Sequence, residues 1–279
     1  MYKKAYPFLK EVDSLALANV QLHLEKAYKN FFRDPKVGFP RFKSKHHSKN
    51  SYTTNVVNGN ILVEDNRIRL PKLKWISMKK HREPAENCCL KSVTVSMEPS
   101  GKYFASLLYE GYSCENQAAD KDYSSAKILG IDYAMQGMAV FSEEIEMEEA
   151  GFFRKNEKRL AREQRKLSRC VKGSRNYVRQ KKKVARCHEK IRNQRRDYLH
   201  KLSRRITDQY DIVAVEDIDM KAMSQCLHFG KSIQDNGYGM FRNMLDYKLA
   251  WKGKELVKAD RFFPSSKKCS KCGKIKKEL

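Results

Sequence analysis

Two apolar runs in this chain end in acids: Ile128-Leu129-Gly130-Ile131-Asp132-Tyr133 and Ile212-Val213-Ala214-Val215-Glu216-Asp217. Each run reads as a buried strand. Acidic residues are disfavoured in strands, and a buried carboxylate is costly without a partner. Two such strand ends call for a cation between them, and the chemistry that fits is a divalent metal ion in a nuclease-type site, held by Asp132 and Glu216. One acid at a strand end is an ordinary loop residue; the pair, in a strongly basic chain, carries the reading. A second candidate set is Cys269-Ser270-Lys271-Cys272-Gly273, the spacing of a zinc-knuckle turn. A structural zinc takes four ligands and no second pair lies at the usual distance, so Cys269 and Cys272 make half a site. Cys88, Cys89, Cys114, Cys170, Cys187 and Cys226 lack metal-ligand spacing and read as plain thiols.

The charge balance points to the partner. Lys and Arg number 58 against 33 Asp and Glu, a net +25. Such an excess predicts a polyanion, because each neutralised phosphate releases counterions. The excess concentrates in 152–209, where 22 Lys or Arg stand against 5 acids. An ordinary solvated helix face mixes signs. This one does not, which makes Arg162, Arg165, Lys166, Arg169, Lys172, Arg175, Lys182, Arg186, Arg192 and Arg195 candidate nucleic-acid contacts. A second basic stretch, Gly38-Phe39-Pro40-Arg41-Phe42-Lys43-Ser44-Lys45, interleaves rings with cations. There Arg41 and Lys43 would hold phosphates while the rings stack. A connector whose rings dock on a core reads equally well from this stretch.

Elements to position these residues can be read in order. Residues 8–32 carry an amphipathic helical pattern with Leu15, Ala18, Leu22, Ala27 and Phe31 near one face, and Asp13-Ser14 supplies an N-cap. From about 50 to 112 the signals are short strands, 51–57, 61–64, 67–70, 91–98 and 103–109, separated by turn residues. They predict a small antiparallel barrel or barrel fragment. A polar linker follows. The Asp132 strand is succeeded by Met138-Ala139-Val140-Phe141 after a turn at Gly137, then by an acidic third strand over 143–149 at or near an edge. Phe153, Leu160 and Leu167 form one stripe, and Val184, Ile191, Tyr198, Leu202 and Ile206 another. The two predict long antiparallel helices, with Lys172-Gly173-Ser174 closing one and capping the next. The Glu216 strand comes next, then a helix from Asn236-Gly237 with Phe241, Leu245, Leu249 and Trp251 inward, and a strand over 255–260. Strand, strand, strand, helix is the opening of a ribonuclease-H-like layout.

No apolar signal core follows Met1-Tyr2-Lys3-Lys4, and no run of about 18 apolar residues occurs. The expectation is a cytoplasmic protein with reduced thiols and no membrane partner.

With these residues in view, 128–272 resembles the RuvC-like domain of the TnpB (OrfB) family of insertion-sequence RNA-guided endonucleases, long called transposases and related to type V CRISPR effectors. The resemblance rests on Gly130-Ile131-Asp132, Gln164-Arg165-Lys166-Leu167-Ser168-Arg169, His188-Glu189-Lys190-Ile191-Arg192-Asn193-Gln194-Arg195, Val215-Glu216-Asp217, Gly253-Lys254-Glu255-Leu256-Val257 and the 262–272 segment. Tyr28-Lys29-Asn30-Phe31-Phe32 and Phe39-Pro40-Arg41-Phe42 extend it to the N-terminal half. It implies an α/β RuvC-like nuclease domain at 128–279, including a basic helical hairpin (152–209) and an incomplete zinc ribbon (262–279). Before it would come an all-β wedge-like barrel at 34–115, a linker at 116–127, and a partial helical recognition segment at 1–33. It further implies a noncoding guide RNA and target DNA as partners, work at the nucleoid, DNA recombination or transposition as the setting, and catalytic Mg²⁺ with Asp132 and Glu216 as two of three RuvC carboxylates.

The departures are specific. The family's third carboxylate and second cysteine pair are absent, and Asp246, Glu255, Asp260 and Glu278 do not stand in a matching context. The chain is expected to be a relative trimmed at both ends, with severely reduced cleavage. Two alternatives follow: a catalytically inactive RNA- or DNA-binding protein, and a non-functional remnant of a transposase gene.

Overall fold

The computed structural model describes residues 2–42, 44, 49–111, 125–134, 138–147, 151–219, 236–260, 268, 272, 274 and 275. The chain divides into two compact units, Met1–Glu115 and Asn116–Leu279.

The first unit opens with a short helix, α1 (Tyr2–Ala5), and one 3₁₀ turn (Pro7–Lys10) before the long helix α2 (Ser14–Arg33). The helix therefore starts at Ser14, not at residue 8. Asp13 sets the boundary: its carboxylate accepts from the Leu15 amide (3.2 Å), satisfying an amide with no partner inside the helix. The face that docks also differs from the expected one. Ala16 and Asn19 are buried while Leu22 is exposed. Asn19 donates to the Thr53 carbonyl (3.0 Å) and Asp13 also accepts from the buried Thr54 hydroxyl, so α2 is fastened by polar contacts rather than by a leucine stripe.

Six strands follow: β1 (Asn50–Asn55), β2 (Leu62–Glu64), β3 (Arg67–Leu70), β4 (Lys74–Ser77), β5 (Cys89–Met97) and β6 (Tyr103–Glu110). They pair as two three-stranded antiparallel sheets, β1-β5-β6 and β2-β3-β4, sharing a cluster of Ile61, Ile68, Leu70 and Val93. Among the described residues no ladder joins the two sheets, so the expected small barrel is instead a pair of small sheets. β4 escaped the strand pattern because all four of its residues are exposed, leaving no alternation to read. Trp75 on that strand takes the Arg67 guanidinium over its ring at 4.7 Å.

The second unit is built on a four-stranded sheet of order β10-β9-β7-β8. Its strands are β7 (Ile128–Ala134), β8 (Met138–Phe141), β9 (Ile212–Glu216) and β10 (Glu255–Ala259). β8 runs antiparallel to β7, whereas β7, β9 and β10 are mutually parallel. One face is dry: Leu129, Ile131, Val213 and Val215 pack with Leu199, Leu202 and Ile206 of α4 (Arg175–Gln209) and with Phe241, Leu245 and Leu249 of α5 (Tyr238–Trp251). Because side chains alternate along a strand, the next residues of each run face the other way.

Helix α3 (Phe152–Ser168) packs on α4, as the two stripes predict. Gln180 of α4 donates to the Glu163 carbonyl (3.0 Å) and carboxylate (2.7 Å) of α3, a buried polar rung between the helices. The Ser174 hydroxyl caps α4 by accepting from the Tyr177 amide (3.1 Å). The end of α3 falls at Ser168, ahead of Gly173, which lies in the connecting turn with φ +85°.

Two other expectations are corrected. Trp251 points to solvent, 72% exposed, because two helical positions beyond Leu249 lie on the opposite side; its ring rests on Tyr247 instead. Residues 143–147 form no strand, while 148–149 lie outside the described residues. Two of their polar groups are taken by α4 and the residue that follows it: the Tyr210 hydroxyl donates to Glu143 (2.6 Å) and the Arg205 guanidinium donates to the Glu146 carbonyl (3.0 Å).

Candidate active site

Parallel pairing of β7 with β9 sets Ile131 opposite Val215, so Asp132 and Glu216 occupy the next pair of positions. Both leave the sheet on the face away from the core. Asp132 is exposed and Glu216 half-buried. Burial first, and then the charge of Asp132 and a hydrogen bond with it, hold the Glu216 carboxyl above the usual carboxylate range. The pair expected from the sequence is thus brought together, and its mutual repulsion is visible.

These acids stand at one end of a cleft of about 400 Å³. Gly130, Ala214 and Ala259 make a low floor, with Val140 and Ser142 on the β8 side. The Ser142 hydroxyl accepts from the Gly130 amide (2.9 Å), and a Cβ at Gly130 would meet the Ser142 side chain at 3.4 Å. Small residues at these positions leave the backbone open to a bulky ligand.

Asp260 also lines the cleft, immediately beyond β10. In sequence it resembles the other two acids, since Glu255-Leu256-Val257-Lys258-Ala259-Asp260 is also a strand followed by a carboxylate. Among the described residues, however, no three His, Cys, Asp or Glu side chains are grouped closely enough to hold one ion.

A divalent cation nonetheless suits the pair: two adjacent carboxylates are hard oxygen donors, and Mg²⁺ is commonly held by one or two carboxylates with the rest of its shell water. Zinc is different. Cys272 is an exposed free thiol on a turn, enclosed by the antiparallel bridge Lys268–Ile275. Cys269 lies outside the described residues. The two thiols supply half of a tetrahedral set, which does not fit a structural zinc by itself.

Helix α5 closes the strand ends from the core side. Arg242 donates to Asp217, the residue after Glu216, at 2.9 Å. One turn earlier, Tyr238 packs its ring against Tyr133, the residue after Asp132, at 4.9 Å. Neither Tyr238 nor Arg242 stands out in the sequence beyond belonging to a helix start.

The basic candidates fall as a surface set. Arg162, Arg165, Lys166, Arg169, Lys172, Arg175, Lys182, Arg186 and Arg192 are exposed along the α3–α4 hairpin. Arg195 is not; it is half-buried, its side chain under Gly237, where a Cβ would come within 2.9 Å of it. In the first unit Phe39 docks edge-on against Tyr28 (5.6 Å) and Phe31 (5.5 Å), which realises the docking reading for that ring. Phe42 is 96% exposed beside the exposed Arg41, and Lys43 lies outside the described residues.

Comparison with known proteins gives the family. Residues 111–227 match the family described as "Probable transposase" (OrfB_IS605), and residues 238–279 match the Cas12f1-like TNB domain. InsQ of Escherichia coli K12, named for a proposed RNA-guided DNA endonuclease activity, is 33% identical over 97% of this chain and 68% of its own length. The chain belongs to the OrfB (TnpB) transposase family. A second relative of this OrfB group, from Streptomyces pristinaespiralis and named for the same proposed activity, is 34% identical over 98% of the chain and 66% of its own length. The chain therefore spans about two thirds of the length of these OrfB relatives. A Cas12f chain from the cryo-EM structure of a CRISPR–Cas12f ternary complex aligns over 94% of this chain and 63% of that one, at 14% identity and a TM-score of 0.37. Among the described residues no helix is long and apolar enough to cross a membrane.

Proposed function

We propose that this OrfB-family chain is a Mg²⁺-dependent DNA endonuclease guided by a bound noncoding RNA and working at the nucleoid. The observation that carries the reading is the juxtaposition of Asp132 and Glu216 at the ends of paired parallel strands, on the open face of the sheet. A bound Mg²⁺ would activate water and stabilise the leaving oxygen of a phosphodiester. The chain's own residues do the rest. Asp132 and Glu216 hold the ion, and the low floor of Gly130, Ala214 and Ala259 admits a sugar-phosphate backbone. The α3–α4 hairpin attracts polyphosphate through Arg162, Arg165, Lys166, Arg169, Lys172, Arg175, Lys182, Arg186 and Arg192. The names of InsQ and the Streptomyces relative support RNA guidance, and the basic excess of the hairpin supports a polyanionic partner.

A second reading is favoured by the absence, among the described residues, of a three-ligand group. On it the protein binds RNA or DNA without cutting, or cuts at a severely reduced rate. Purified protein with its co-expressed RNA decides between them. Mg²⁺-dependent DNA cutting that Asp132→Ala removes supports the nuclease. Salt-sensitive RNA binding with no cutting supports the binder.

A further inference from the structure

Tyr238 is among the most deeply buried side chains of the second unit, 1% exposed, yet among the described residues its hydroxyl has no hydrogen-bond partner. An unpaired buried hydroxyl costs free energy, and native structures rarely keep one without use. Its location is specific. Tyr238 is the first residue of α5, after Gly237 in the left-handed conformation (φ +66°). Gly237 is fixed there, because a Cβ would strike Arg195 at 2.9 Å and Leu199 at 3.2 Å. The helix start is thus held against α4, and two contacts aim its first turn at the strand ends: the Tyr238 ring on Tyr133, and Arg242 on Asp217. The ring of Tyr238 therefore lies against the residue that follows Asp132, and the next turn of the same helix holds the residue that follows Glu216.

We infer that Tyr238 is a positioning residue of the Asp132–Glu216 pair, its buried hydroxyl reserved as a hydrogen-bond donor to a carboxylate oxygen once a divalent cation draws the two acids into place. The inference rests on the reading of that pair as an ion site. Without the ion, the two acids engage one another and the hydroxyl is left over. With it, the carboxylate oxygen not facing the cation needs a donor, and the Tyr238 hydroxyl, like that of Tyr133 beside it, is a buried neutral donor with no other partner among the described residues. Burial pushes the phenol up to about 12, with Asp132 and Glu216 adding to the shift against the pull of Arg242, so it keeps its proton at any working pH. Outer donors of this kind orient metal ligands in many sites.

The test is Mn²⁺ binding by titration calorimetry on the full chain, with thermal melts of the ion-free protein, for wild type, Tyr238→Phe and Tyr133→Phe. Tyr238→Phe should weaken Mn²⁺ binding by about 10-fold. It should leave the ion-free Tm unchanged or higher, because it removes an unpaired buried hydroxyl and keeps the ring. Tyr133→Phe should leave binding within about twofold, the scatter expected where no ligand contact is lost. A packing role for the ring alone predicts no change in binding for either variant. Unchanged Mn²⁺ binding in Tyr238→Phe, or a fall in binding matched by a fall in Tm, overturns the inference alone. A wild-type protein that binds no Mn²⁺ overturns the ion-site reading, and this inference with it.

Discussion

Glu216 and Asp132 stand side by side at the ends of two parallel strands, one half-buried and the other exposed. Glu216 is held above its usual range, by burial first and Asp132 second, while Asp132 stands in solvent. Replacing Asp132 with Ala should therefore separate chemistry from folding. Any Mg²⁺-dependent cleavage should drop on the order of 100-fold or more, the loss of several kcal/mol of metal-held stabilisation. The Tm should stay the same or rise, since a repulsion is removed. Paired cleavage assays and melts check both halves.

A pH response should come from His200. Burial first, then the cations Lys248 and Arg196, hold its imidazole below the usual histidine range, against the weaker pull of Asp197. The Arg196 guanidinium also donates to its ring nitrogen at 3.5 Å, which requires the neutral form. The unfolded chain takes up the proton first, so the stability from this group is complete above about pH 6.5 and is lost as pH falls below that value. Melts between pH 7.5 and pH 5 should show a falling Tm that is shallower in His200→Gln. An identical slope in the variant would assign the acid sensitivity elsewhere.

On the hairpin, the triple change Lys172→Ala, Arg175→Ala, Lys182→Ala should weaken RNA binding roughly uniformly across sequences. Each lost phosphate contact should reduce the magnitude of the logarithmic salt slope by about 1. Filter binding at several salt concentrations measures it. A slope equal to wild type would place the polyanion on another surface.

In the first unit, Asp13→Ala should cost about 1–3 kcal/mol, since one carboxylate both caps α2 and accepts from the buried Thr54 hydroxyl. Urea unfolding of the wild type and of Asp13→Asn alongside it measures the loss. The Asn variant keeps an oxygen and should retain most of the stability.

How far the sequence carried depended on whether an element's burial leaves a period. α3, α4 and α5 were legible because Leu160, Ile191, Leu202, Ile206, Phe241 and Leu245 recur at helical spacing on faces that do pack. α2 misled because its docking residue is Asn19, while the apolar Leu22 faces solvent. β4 has no buried side to betray it, and 143–147 gives its polar groups to Tyr210 and Arg205 rather than to a neighbouring strand. At the site, Asp132 and Glu216 were legible as acids ending apolar runs. Tyr238 was not, because a phenol at a helix start looks like any aromatic core residue until its hydroxyl is seen to lack a partner.

The sheet of the second unit has two sides with separate obligations. Leu129, Ile131, Val213 and Val215 pack into the hydrophobic core, while Gly130, Asp132, Ala214 and Glu216 line the open cleft. Alternation along two strands therefore sets core and cleft residues one position apart, so that either set can be changed while the other keeps its contacts. The core and the candidate site are thus separable by mutation, residue by residue along the same strand.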